Sequence, residues 1–214
     1  MYKNEKLEVI KAALKLKEYR LIALSGGNVS IRTPEGHFLV TPSGMSYETM
    51  VPSDIVVLDI NGNIIEGKRK ISVDIEAILY IFKNMPEVKA VIHTHQVYAS
   101  AVGLVMDELP AAVTTLPNAC LGPVTVAPFS SAASIEMGIT AVKYMNNKRA
   151  VILKNHGVVA VGGTLKEALY SAIYLEDAAK TYIMAKIIGS PAILTEEQIE
   201  EAVKKFEPAA YGQQ

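Results

Sequence analysis

Val91-Ile92-His93-Thr94-His95 ends an apolar run on two imidazoles two residues apart, and the rest of the chain is read from this stretch. In an extended strand successive side chains alternate faces, so His93 and His95 point one way and Thr94 the other. Two nitrogen ligands are thereby offered to one metal ion. The two other histidines are His37 and His156. His156 sits in Asn155-His156-Gly157, directly after a second apolar run at residues 150–153. Delivered by a neighbouring strand end, it would complete a three-histidine set with an open coordination position for substrate. The alternative is a pair of strand-end histidines hydrogen-bonded to each other, with no ion.

Upstream, Leu7, Ile10, Ala13, Leu14 and Leu16 recur at helical spacing among Lys and Glu, which predicts an amphipathic helix ending near residue 19 or 20. Ser25-Gly26-Gly27-Asn28 follows. Paired glycines let a loop approach an anion closely, with Asn28 and Ser30 as further donors, although such a pair also marks an ordinary turn. Residues 29–32 and 37–41 alternate around Pro34-Glu35-Gly36 as a hairpin, with His37 a strand residue near the turn. Thr41-Pro42-Ser43-Gly44 is a second candidate donor loop. A strand at 55–60 turns at Asn61-Gly62 and returns through Ile64 and Ile65. Ser72 precedes the helical pattern Ile75, Ile78, Leu79, Phe82; Ser72, Asp74 and Glu76 all suit a helix N-terminus, which is the plain structural reading of each.

Downstream, a helix is expected at 98–105 and a strand at 124–127. A helix at 134–145 and a strand at 150–153 follow, the strand continuing at 158–161 after the Asn-His-Gly turn. Thr164 with Glu167 opens a long helix reaching about residue 188, and Thr195 with Gln198 opens a last one ending near 206. Helices on both faces of a sheet make a three-layer α/β/α domain spanning 1–214. With 214 residues, half of them hydrophobic, one domain has enough apolar material for a sizeable core. The 21 basic and 22 acidic side chains give a net charge of −1, which argues against a nucleic-acid partner. A lone cysteine, Cys120, fits a reducing compartment and a buried apolar role. The N-terminal segment lacks the pattern of a secretion signal and no apolar run reaches membrane-spanning length, so a cytoplasmic protein without a membrane partner is expected.

Ser25-Gly26-Gly27-Asn28-Val29-Ser30, Thr41-Pro42-Ser43-Gly44, Ser72-Val73-Asp74, His93-Thr94-His95 and Asn155-His156-Gly157 together resemble the class II aldolase/adducin family, across nearly the whole chain. The resemblance is strongest to its L-fuculose-1-phosphate aldolase branch. It implies a class II aldolase-like α/β/α domain with a central, largely antiparallel sheet. It also implies a divalent metal, usually Zn²⁺ with Co²⁺ or Mn²⁺ as alternatives, on His93, His95 and His156. Substrate phosphate would lie on Gly27, Asn28, Ser43, Gly44 and Ser72, and the catalytic residues would be Asp74 and Tyr211.

The implied reaction is cleavage of a ketose 1-phosphate, a small-molecule sugar phosphate, to dihydroxyacetone phosphate and an aldehyde through a metal-stabilised enediolate. The implied assembly is a homotetramer with sites at subunit interfaces, where Tyr211 acts from a neighbouring chain. The aldolases typically carry glutamate at the position of Asp74, and the related 4-epimerases carry aspartate. The stretch 110–123 has no aspartate, which the epimerases use there. Val73 stands where a second phosphate serine is common, and Thr114 and Thr115 stand near the place of a frequent tyrosine. Epimerisation, dehydration or decarboxylation on the same scaffold are the alternative reactions. A non-catalytic adducin-like scaffold would typically lack the metal histidines.

Overall fold

The structure, a computed structural model, describes residues 1–205. The opening apolar spacing becomes α1 (Lys3–Glu18), whose Val9, Ala13 and Leu16 are fully buried. Leu14, one position round the helix from Ala13, faces outward, while Lys6 is buried and reaches Glu66 at 2.7 Å. The first hairpin is β1 (Gly27–Arg32) with β2 (Phe38–Val40), and the second is β3 (Val56–Leu58) with β4 (Ile64–Glu66). Then come α2 (Ile75–Asn84), β5 (Ala90–Thr94), α3 (Val97–Val105), a short β6 (Glu108–Leu109), α4 (Thr115–Cys120) and β7 (Val124–Ala127). The rest is α5 (Ile135–Met145), β8 (Ala150–Leu153), β9 (Gly157–Gly162), α6 (Leu165–Ile188) and α7 (Glu196–Lys205). Among the described residues no helix is long and apolar enough to cross a membrane.

The nine strands of the described residues form one sheet in the order β4-β3-β2-β1-β5-β9-β8-β7-β6. Every pairing is antiparallel except β7 with β8. Alternation along the inner strands feeds two cores. Ile92 and Ile152 pack with Leu16 of α1, Val102 of α3, Leu116 of α4 and Leu175 of α6. Val91 and Val151 pack with Ile78 and Phe82 of α2 and Met137 of α5 on the other face. Each such buried side chain contributes about 1.5–3 kcal/mol relative to exposure, so both faces must be covered. The three-layer α/β/α reading and the largely antiparallel sheet are both observed.

Two local expectations are revised. Residues 158–161 do not continue β8; Asn155 adopts a left-handed conformation (φ 61°), and the chain reverses so that β9 pairs antiparallel with β8. Ser72 does not cap α2 as expected, because Asp74 occupies the N-cap position; Ser72 instead offers its Oγ to the Asp74 amide (3.3 Å) and its carbonyl to the Ile75 amide (3.2 Å). At α6 the expected Thr164 cap is present, its Oγ1 accepting from the Glu167 amide at 3.1 Å. At α7 both halves of the Thr195–Gln198 box are made, at 2.9 and 3.3 Å.

The topology positions one site. β5 lies between β1 and β9 and runs antiparallel to both, so its C-terminal end meets their N-terminal ends. Segments near residues 26, 94 and 156 therefore converge at one edge of the sheet. Because Val91 belongs to the α2/α5 core, the period of two points His93 toward that face and Thr94 toward α6.

Candidate active site

The three imidazoles of His93, His95 and His156 come together at this edge. Their ring centroids lie 4.9, 4.8 and 5.1 Å apart. One candidate ligand atom from each falls within 4.8 Å of the others. His93 is fully buried, and its Nδ1 lies 2.9 Å from the Val158 carbonyl. A carbonyl only accepts, so that contact fixes the proton on Nδ1 and leaves the Nε2 lone pair free. That Nε2 sits 3.1 Å from Nε2 of His95. Two nitrogens on a tetrahedral ion with bonds of about 2.05 Å stand roughly 3.3 Å apart.

The electrostatics suit the same use. Burial, then the neighbouring His156 and His95, push His93 down to about 3. Burial and His95 also lower His156, against the pull of Asp74. Both rings are thus kept neutral, the form that ligates a metal. The Nδ1 of His156 is buried with no hydrogen-bond partner among the described residues. An orphaned nitrogen beside two convergent imidazoles is the donor set of a divalent cation, and these residues fit one.

Glycine makes the convergence sterically possible. A Cβ on Gly157 would lie 2.2 Å from the Thr94 carbonyl, and one on Gly27 2.7 Å from the His93 carbonyl, with φ already at +139°. These two glycines let β1 and β9 close on the histidine strand end. For Gly27 this is a packing role beyond the anion loop that the sequence suggests.

A cavity of about 190 Å³ opens beside the cluster, bounded by Ser25, Gly26, Gly27, Ser43, Gly44, Ser72, Asp74, His95 and His156. None of the described residues lining it is Lys or Arg. Any anion held there would rest on backbone amides and hydroxyls. The Ser43 amide is already bonded to the Lys70 carbonyl (2.9 Å), so Ser43 offers its hydroxyl. Gly44, at φ +69°, has open space where a side chain would be.

Asn28 is placed differently from the expectation. It lies in β1 opposite His93, is buried, and is not part of the cavity wall. Its Nδ2 donates to Asp74 Oδ2 at 2.9 Å and more weakly to Ser72 Oγ at 3.4 Å. Its amide therefore supports the carboxylate and reaches the cavity only through Asp74 and Ser72. Sequence spacing has no means of pairing residues 28 and 74; the contact depends on strand order.

Asp74 makes no capping bond with its side chain although it occupies the N-cap position. It is buried, which raises its carboxyl above the usual range, with His156, His95, the Ala133 amide and Asn28 pulling the other way. Loop residues Ala132 and Ala133, which carry no motif or chemistry to single them out, complete the wall on this side. Val73 lies on the rim, half exposed. Thr114 lines a separate groove with Gln198 of α7. Tyr211 falls outside the described residues.

A family model described as Class II Aldolase and Adducin N-terminal domain matches residues 7–183. The 5-deoxy-D-ribulose 1-phosphate aldolase of Bacillus thuringiensis serovar kurstaki is 34% identical, over 100% of this chain and 100% of that protein. The L-fuculose phosphate aldolase of Escherichia coli strain K12 is 30% identical, over 96% of this chain and 94% of the relative. A solved structure of an L-fuculose 1-phosphate aldolase aligns with a TM-score of 0.89 at 35% identity, covering 94% of this chain and 95% of its own.

Proposed function

The chain belongs to the class II aldolase/adducin family and is an enzyme of its aldolase class, and on that premise we propose that it cleaves a ketose 1-phosphate to dihydroxyacetone phosphate and an aldehyde with the help of a divalent metal. The observation that carries this reading is one cavity lined by two of the three clustered histidines, a buried carboxyl and three neutral donor segments. His93, His95 and His156 would hold the ion, Zn²⁺ in our reading, with Co²⁺ or Mn²⁺ also compatible with imidazole ligands. When bound, it supplies Lewis-acid stabilisation of the negative charge that grows on substrate oxygen as the carbon–carbon bond breaks.

The chain's own residues do the remaining work. Gly27, Gly44 and the hydroxyls of Ser43 and Ser72 take the phosphate, fixing which substrate carbon faces Asp74. Ser72 Oγ already accepts from the Asp74 amide, so its own proton is free to be donated. Asp74, whose carboxyl burial shifts upward, delivers a proton to the carbon that keeps the electron pair of the broken bond. Asn28 holds that carboxyl in place.

The hydroxyl proton of the departing aldehyde needs a second group. No tyrosine is among the described residues lining the cavity. We assign that proton to the phenolate of Tyr211 of a neighbouring copy in a homotetramer, with solvent afterwards taking it from the tyrosine and returning one to Asp74. The substrates that the relatives' names carry, 5-deoxy-D-ribulose 1-phosphate and L-fuculose phosphate, set the class to try first. Incubating the metal-loaded protein with a panel of ketose 1-phosphates should release dihydroxyacetone phosphate from at least one. Conversion of a pentulose 5-phosphate to its 4-epimer, with no such release from any of the panel, would favour the epimerase reading and overturn ours.

A further inference from the structure

The three histidines are held by different means. His93 lies inside β5, paired on both sides, with its ring tied to Val158. His156 sits in the tight turn between β8 and β9. His95 lies one residue beyond β5 and is exposed, and its ring's one described hydrogen bond is to His93 itself. No ladder and no outer partner fixes it among the described residues. Metal-ligating histidines are ordinarily oriented by such a partner on the second ring nitrogen.

The residues on either side of His95 supply another restraint. Thr94 and Gln96 are both 0% exposed, on the α6 side of the sheet. Thr94 Oγ1 donates to Gln96 Oε1 at 2.6 Å, and Gln96 Nε2 donates to the Ala172 carbonyl of α6 at 3.2 Å. One turn further along α6, the Glu176 carboxylate accepts from the amides of Tyr98 and Ala99, each at 2.9 Å. The backbone just after His95 is thus tied to one long helix that carries none of the metal ligands, and Thr94, just before it, joins that tie through Gln96.

Stability alone does not call for this arrangement. Burying a hydroxyl and an amide costs free energy unless both are bonded, and an apolar pair of the same shape would serve the core about equally well. What the polar pair adds is a fixed distance between strand, turn and α6.

We propose that Gln96, together with Thr94, is a positioning residue that holds His95 at the metal from the opposite face of the sheet. This rests on the metal reading of the histidine cluster. The test is a cobalt(II) titration of metal-free full-length protein, following visible absorption for affinity and ligand geometry, with thermal melting of each metal-free chain. The Thr94→Val/Gln96→Leu double variant should bind cobalt about 10- to 100-fold more weakly and show an altered visible spectrum. Its metal-free melting should stay within about 5 °C of wild type. Thr94→Ser, which keeps the hydroxyl, should retain wild-type affinity and spectrum. If the double variant does not fold, Thr94→Val read against Thr94→Ser decides, with several-fold weaker binding expected only in the valine variant. Wild-type affinity and spectrum in the valine-containing variants would overturn the proposal while leaving the metal reading intact. A wild-type chain that takes up no cobalt would overturn the metal reading and this proposal with it.

Discussion

Asp74 and Asn28 show how a single side chain's surroundings separate support from chemistry. The Asp74 carboxylate makes no helix-capping bond and instead faces the cavity, held by Asn28 at 2.9 Å. Asp74→Asn should therefore fold and keep its metal while turnover falls roughly 10²- to 10⁴-fold. Single-turnover kinetics with parallel metal analysis would check this, and near wild-type turnover would move attention to another carboxylate. Asn28→Ala removes the donor to Asp74 without touching the cavity wall. We expect kcat to fall with little change in KM for the phosphorylated substrate. A rise in KM confined to phosphorylated substrates, at constant kcat, would instead return Asn28 to the role of direct phosphate donor.

At the scale of elements, the site depends on how closely β1 and β9 approach the end of β5. Gly157→Ala would place a Cβ 2.2 Å from the Thr94 carbonyl, a backbone atom that cannot rotate away. It should cost about 1–3 kcal/mol or more in urea unfolding and weaken metal binding with it. Thr164→Ala, far from the site, should cost α6 about 0.5–2 kcal/mol and leave metal affinity unchanged. The elements that the sequence made legible were those with a clear period or cap: α1, the His93/His95 strand, and the Thr164 and Thr195 helix starts. α4 was missed because six residues containing Pro117 show no helical period, and β6 because two residues have no period at all. In the sequence β9 looks continuous with β8, because the reversal rests on one left-handed residue, Asn155, whose side chain permits but does not demand it. The histidine set was legible from local spacing and resemblance. The Asn28–Asp74 and Gln96–Ala172 contacts were not, since each joins segments that only the strand order and the layering bring together.

For the whole molecule, the sheet brings residues from the first hairpin, β5 and the β8–β9 turn to one cavity that an ion would tie together. Binding to the folded state alone should then stabilise the protein, by about 4 kcal/mol at a free metal concentration a thousandfold above Kd. Melting with and without chelator would show it as an upward shift in Tm on metal addition. The same ion is what joins the neutral phosphate cradle to bond cleavage in the proposed reaction. The most direct measurement is dihydroxyacetone phosphate release from the preferred ketose 1-phosphate by the protein as isolated, after metal stripping, and after return of one equivalent of Zn²⁺, Co²⁺ or Mn²⁺. Release should vanish on stripping and return with at least one of the three ions. Release that persists undiminished in the stripped protein would contradict it.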